Sequence, residues 1–354
     1  MEFEYTIVNI LIWFGLYLIV ALSLNIEYGY GGIPNFGRAL AVLMGGIAVG
    51  GILNRLFVIS LGIVGDFLSA SNIAISTIND IIAHNLMIGI GLLLLSLFIA
   101  GALGFIVGAI FILPSAKLSS DYLAIALLAI SEVILLISYY NPEIIGGYYG
   151  IGVVNVLAFI PGQHRIFVFA IIILIVAFII YLIVDKLTNT PYGRLLKAMR
   201  ENEDVVRAFG GDIMMIRIKT VAIGSGIAAI AGALYALFAG NVIATAYNRV
   251  EWTFYPFLMV ILGGLGNNAG VALGVLIFVT AKILLITYKA EITEFLHLPF
   301  EAVWLEYILF GVVMLLILNY KPEGLIKENI ILTPPIKRLI KNKKYYKIYK
   351  IKKI

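Results

Sequence analysis

Ile166-Phe-Val-Phe-Ala-Ile-Ile-Ile-Leu-Ile-Val-Ala-Phe-Ile-Ile-Tyr-Leu-Ile-Val-Asp185 is followed closely by Thr190-Pro-Tyr-Gly-Arg-Leu-Leu-Lys-Ala-Met-Arg-Glu-Asn-Glu-Asp-Val-Val-Arg-Ala-Phe-Gly210. The first stretch is apolar for long enough to cross a bilayer as a helix. The second is a charged island, and another long apolar stretch follows it from about residue 219. A polar segment of good helix formers between two spans points to something in the water phase that holds it.

Working outward, the apolar stretches recur. The 354-residue chain is 62% hydrophobic and 13% charged, about half the charge content of a soluble domain. We read an all-α, polytopic integral membrane protein with nine or ten spans. The nine fall near residues 5–25, 36–57, 86–113, 121–140, 166–185, 219–240, 253–264, 269–288 and 303–319. The seventh is too short to cross as a helix unless it begins within 244–252 or is re-entrant. The mixed stretch 58–85 can hold a tenth. Residues 1–325 form the membrane domain, with the island at about 190–211, and 326–354 form a basic tail. Glu2 and Glu4 with no basic neighbour, and no small-residue cleavage site, argue for a retained first span.

Basic residues set the expected orientation. With the N-terminus outside, the inner segments hold Arg38, Lys117, seven basic residues around the island and eleven near the C-terminus. The outer segments hold Arg55, Arg165, Arg249 and Lys289. The island and the C-terminus are therefore expected in the cytoplasm. The net charge of +5 comes largely from Lys337–Ile354, a tail suited to anionic headgroups or to fixing topology.

Two glycine-rich turns resemble each other: Gly31-Gly32-Ile-Pro-Asn35-Phe-Gly37 and Gly263-Gly264-Leu-Gly266-Asn267-Asn-Ala-Gly270. Paired interruptions of this kind point to an internal repeat flanking a transport path. Small residues four apart (Gly46/Gly50, Gly104/Gly108, Gly270/Gly274) are expected to let helices pack closely.

The island reads as one helix of about eighteen residues. Thr190 is placed to cap it, Pro191 suits its first turn, and Gly210-Gly211 can end it. Lys197/Glu201, Arg200/Asp204 and Glu203/Arg207 are opposite charges at i,i+4. Leu195, Leu196, Met199, Val206 and Phe209 form a broken apolar stripe. A helix lying on lipid favours a purely basic polar face. The mixed face here better suits a groove on a partner protein, with the bilayer surface as the alternative.

The island resembles the cytoplasmic loop by which permeases of ABC importers engage their ATPases. More narrowly, Pro191, Gly193, Arg194, Ala198, Arg200, Glu201, Asn202, Glu203 and Gly210, with Ala208, match the loop of LivM-type branched-chain amino-acid permeases. Similar blocks occur in the same order elsewhere. They are Ala21-Leu-Ser-Leu-Asn25 with the Gly29–Gly37 turn, Asp121-Tyr122-Leu-Ala-Ile-Ala with Glu132, and Gly146-Gly147 with Gly150. Later come Gly232-Ala-Leu-Tyr235, Met259–Gly266 and Pro322-Glu-Gly-Leu325. The chain departs from the family's pattern at Arg38, where His or Gln is usual, at Ile145, and in a longer 58–85 insert.

The resemblance implies a second, related permease subunit, two cytoplasmic ATPases and an extracytoplasmic amino-acid-binding protein. It places Gly193, Arg194, Ala198, Arg200, Glu201, Asn202, Glu203, Ala208 and Gly210 in ATPase coupling. It places Asn25, Gly31, Gly32, Asn35, Gly37, Tyr122, Glu132, Gly263, Gly264 and Gly266 along the translocation path. Urea, other amino acids or a sugar stay open as substrates within the superfamily.

The residues present agree with a transport subunit over an enzyme. No phosphate-binding G-x-x-x-x-G-K-[ST] loop occurs, so ATP hydrolysis must come from another chain. With no cysteine and scattered His84, His164 and His297, neither a metal site nor a nucleophile is expected, and no cofactor. Glu132 in the fourth span is a functional candidate as an intramembrane carboxylate, with Lys282 at comparable depth as its expected partner. An ion-coupled transporter would use that pair but would leave the island unexplained.

Overall fold

The computed structural model describes residues 2–288, 291, 302–321 and 323–328. Lys289, His297 and the tail from Lys337 lie outside them. α1 (Glu2–Leu24) runs into a π-helical turn, Asn25–Tyr30. After the first glycine-rich turn, α2 (Arg38–Gly46) continues through π-helical Ile47–Leu53 into α3 (Asn54–Ser60). There follow α4 (Phe67–His84), α5 (Leu86–Ile112), α6 (Ser120–Tyr140), the single turn α7 (Pro142–Ile145) and α8 (Gly162–Thr188). The island forms α9 (Pro191–Glu201) and α10 (Glu203–Ala208). α11 (Ile213–Ala239), α12 (Tyr255–Gly263), α13 (Asn268–Thr287) and α14 (Ala302–Tyr320) complete the order.

Seven helical runs among the described residues are long and apolar enough to cross a membrane, fewer than the nine or ten expected. Two of the differences have physical causes, at the expected seventh segment and at the 58–85 insert. The expected seventh segment does begin earlier, as π-helical Val250–Phe254 leading into α12. Those fourteen residues reach only about 21 Å, short of a hydrocarbon core of about 30 Å. The 58–85 insert forms α4, in which Ser69, Ser71, Asn72, Ser76, Thr77, Asn79 and Asp80 break the apolar run. α14 coincides with the expected last segment.

α1, α2 and α11 form the inner layer, and α5, α6 and α8 the outer one. The outer helices present Phe98, Ile125, Ile171 and Phe178 outward, which suits lipid. The inner layer packs through small residues, because apolar side chains gain nothing by leaving lipid for protein. Gly232 brings α11 against α2, where a Cβ would stand 1.9 Å from the Val42 carbonyl oxygen. Gly104 and Gly108 seat α5 on Ala229 and Ser225 of α11, as their spacing suggested. Gly232→Val is expected to force α2 and α11 apart, with a cost at or above the about 1–3 kcal/mol of an overpacked core. A lowered unfolding temperature of the detergent-extracted protein would register it.

α11 also sets the two ends of the bundle, its 27 residues spanning about 40 Å. At its C-terminal end β1 (Ile151–Gly152) pairs antiparallel with β2 (Asn241–Val242). α4 covers this end: Asn155 donates its N–H to Asn79 Oδ1 at 2.7 Å. The island sits at the other end. Both glycine-rich turns lie there too, since Gly29 approaches the backbone of Gly266. They differ in the helices that flank them. The first is entered from a π-helix and followed by an interrupted helix, the second by twenty unbroken residues. The two turns thus do not confirm the expected internal repeat.

Candidate functional site

The island folds as an elbow, correcting the single helix expected from its composition. Asn202 is extended (φ −162°, ψ 111°), and its side chain accepts from the Val205 N–H at 3.1 Å. It thus ends α9 and caps α10, the local competition with helix that asparagine offers. Thr190 stands at the N-cap position of α9, but its hydroxyl donates back to the Leu187 carbonyl at 2.7 Å. Gly210, at φ +84°, ends α10 in a left-handed turn that favours glycine.

The break redistributes the charges. Glu203/Arg207 survives as an i,i+4 pair at 3.7 Å. Arg200/Asp204 does not form, because Asn202 rotates the two helices out of register; Asp204 meets Arg207 at 3.2 Å instead. Lys197 and Arg200 leave the expected i,i+4 pattern for Glu328, at 2.8 and 2.6 Å, although Arg200 also lies 3.5 Å from Glu201.

Those two pairs anchor α9 to the bundle. Glu328 lies against Gly266, while Arg200 Nη1 donates to the Gly29 carbonyl. Segment 323–328 is itself stitched to the second glycine-rich turn: the Leu325 and Ile326 N–H groups donate to the Leu262 and Gly263 carbonyls at 2.9 and 3.0 Å. Packing thus continues past the boundary expected at residue 325. Asn25 completes the junction, donating to Asn268 Oδ1 and accepting from the Gly266 N–H, both at 3.0 Å. Tyr192 closes α9 onto α11 through Thr220, 2.7 Å away, and burial holds its phenol above the ordinary tyrosine value. α10 is held by Arg217, which meets Glu203 at 2.5 Å and donates to the Ala116 and Leu118 carbonyls at 2.9 and 2.7 Å.

Most of the apolar stripe is consequently spent inside the chain: Leu196, Met199 and Val206 are buried. Gly193 is buried too, its Cα hydrogens turned to the Thr188 carbonyl. What faces outward is Arg194, Ala198, Glu201, Asn202, Asp204, Val205, Ala208 and Phe209. Phe209 is 89% exposed. Beside α10 opens a cleft of about 600 Å3, lined by Lys117, Glu203, Arg207, Asp212 and Arg217 among others. The elbow thus presents a mixed-charge outer face with one exposed aromatic ring beside a polar cleft.

The family described as "Branched-chain amino acid transport system / permease component" matches residues 6–318. The chain belongs to this permease family. It is 62% identical over 331 residues to the probable branched-chain amino acid transport permease protein LivM of Methanocaldococcus jannaschii, covering 94% of this chain and 96% of that one. It is 26% identical over 252 residues to the high-affinity branched-chain amino acid transport system permease protein LivM of Escherichia coli, covering 64% and 55%. No solved structure matches. Family and helices together make this a multi-pass membrane protein and a transport subunit.

Within the permease, the residues expected along the path separate into three places. Asn25, Gly31, Gly32, Gly263, Gly264 and Gly266 lie in the glycine-turn junction at the elbow end; Gly32 lies against the Arg200 side chain. Asn35 and Gly37 line a small interior cavity. Tyr122 lies on the exposed face of α6. Glu132 pairs with Arg249 at 3.3 Å, not with Lys282. Lys282 pairs instead with Glu251 at 2.6 Å, where the Tyr17 hydroxyl also donates and the Tyr255 ring lies 4.5 Å from the ammonium.

Glu27, Glu251, Arg217 and Glu328 escaped sequence reasoning. For Glu27 a signal existed: it and Arg38 are opposite charges set in two apolar runs on either side of one turn. The structure pairs them, with both side chains fully buried.

Proposed function

We propose that the chain is the membrane-spanning subunit of an ATP-driven importer of branched-chain amino acids, leucine, isoleucine and valine. Its expected companions are a second permease subunit, two cytoplasmic ATPases and an extracytoplasmic binding protein. The observation that carries the ATPase reading is the elbow. It is clamped to the bundle by Glu328 and Arg217 and turns Arg194, Glu201, Asp204 and Phe209 outward. Motion imposed on α9 reaches both glycine-rich turns through Arg200 and Glu328, the kind of rigid linkage that shifts a bundle between two states. The excess of basic residues at the elbow end supports a cytoplasmic elbow and an outer N-terminus. α4 and the β1–β2 ladder would then face the binding protein.

Glu201→Lys combined with Phe209→Ser tests the docking face, since neither side chain holds the elbow to the bundle. The variant is expected to reach the membrane at wild-type levels. Co-purification of the ATPases should fall to about one-tenth, the loss of one modest hot spot, and ATP-dependent uptake of labelled leucine should fall with it. Undiminished ATPase recovery removes the docking assignment, and leucine uptake independent of ATP favours an ion-coupled carrier.

A further inference from the structure

Glu27 and Arg38 are wholly buried within two spans, yet their polar atoms are poorly met. The guanidinium engages Glu27 through Nη2. Nε and Nη1 of Arg38 and Oε1 of Glu27 have no hydrogen-bond partner among the described residues. Asn35 donates to Glu27 Oε2 at 2.9 Å and accepts the Gly37 N–H at 3.0 Å. A buried ion pair recovers its desolvation cost only when its remaining donors and acceptors are satisfied. Lys282–Glu251 meets that condition with a tyrosine hydroxyl and ring faces; Glu27–Arg38 does not.

A cavity adjoins the pair. Asn35, Gly37, Phe111, Leu127, Val221 and Ser225 are among its walls, so Asn35 belongs to both cavity and ion pair. Glu27 Oε1 lies against Gly224, the neighbour of Ser225; a Cβ at Gly224 would stand 1.9 Å from it. The side chains facing the cavity are mostly aliphatic or aromatic. The ion pair with its unpaired donors and acceptor stands behind the wall of the apolar recess, joined to it by Asn35 and the Gly224–Ser225 step, and neither Glu27 nor Arg38 lines the recess itself.

We infer that this is a substrate subsite for an α-amino acid with an aliphatic side chain, a deepening that rests on the transport reading above. Arg38 takes the α-carboxylate, the fork geometry for which guanidinium is suited. Glu27 takes the α-ammonium, and the recess takes the side chain. In this conformation the recess holds about 20 Å3, room for about one water, so loading requires it to widen. Gly37 abuts the Leu127 carbonyl of α6, and separation at that contact enlarges it. Arg200, bonded to the Gly29 carbonyl two residues from Glu27, ties that widening to the elbow.

The test uses the whole complex in proteoliposomes with its loaded binding protein. A diazirine analogue of leucine is supplied with ATP, illuminated, and its adducts mapped by mass spectrometry. Adducts are expected on peptides holding Phe111 or Leu127, suppressed by excess leucine. The double variant E27Q/R38M leaves no lone buried charge. It is expected to assemble at wild-type levels, while leucine uptake falls about tenfold or more. Uptake equal to wild type in E27Q/R38M, or adducts confined to other regions, overturns the subsite and leaves the transport reading standing. Loss of assembly in that variant together with no adducts at the recess assigns the pair a purely structural role. If the wild-type complex takes up no leucine, the transport reading fails, and the subsite with it.

Discussion

Arg217→Met is expected to release α10 from the bundle and abolish coupled transport. Arg217 is nearly buried and satisfies three groups at once: the Glu203 carboxylate and the carbonyls of Ala116 and Leu118. Removing the cation leaves a partly buried carboxylate and two carbonyls without their donor. With the Glu203 side chain about a third exposed the loss is about 1–3 kcal/mol, still more than the few tenths of the surviving Glu203/Arg207 pair on the exposed face. The close helix contacts at Gly232, Gly104 and Gly108 do not involve Arg217, so the protein should still accumulate in the membrane. Limited proteolysis should newly cut between Glu201 and Gly211, and leucine uptake should fall below detection. Protection of that segment at the wild-type level would show that the elbow is held by other contacts. Glu203→Lys acts on the same joint, so it reports on attachment of the elbow and not on its outer face.

Lys282→Met should be strongly destabilising. The ammonium lies 2.6 Å from Glu251 Oε2, among the rings of Tyr255, Tyr17 and Trp13. Its removal leaves the partly buried Glu251 carboxylate without its counter-ion, a loss of about 1–3 kcal/mol. The double variant K282M/E251Q removes both charges, and most of that loss should return. A double-mutant cycle on thermal unfolding in detergent measures the coupling. Additive losses in the double variant would mean that the pair is not the source of the stability.

Much of this architecture was legible in hydropathy. The expected segments 86–113, 121–140 and 269–288 coincide with α5, α6 and α13 to within one or two residues. α11 begins at Ile213, earlier than the expected 219, because the charges of Arg217 and Lys219 that interrupt the apolar run do not end the helix; Arg217 turns inward to a partner. The elbow was half legible. Its polarity, its start at Pro191 and its end at Gly210 were read correctly. The break was not, since neighbours of good helix propensity mask what one asparagine does when its side chain caps the following turn.

The candidate site divides the same way. By itself the sequence determined which residues sit in lipid-length runs, which form the island, and the family to which their order belongs. These are local matters, set by each residue's affinity for lipid or water and by short-range periodicity. Only the tertiary structure decided the partners. Glu27 joins Arg38, Glu251 takes Lys282 from Glu132, and Glu328 takes Arg200 across 128 positions. Such pairings join residues far apart in the chain and depend on how the helices approach one another, as they do closely at Gly232 and Gly104. In lipid that approach is governed by side-chain fit between neighbours, which no single segment encodes.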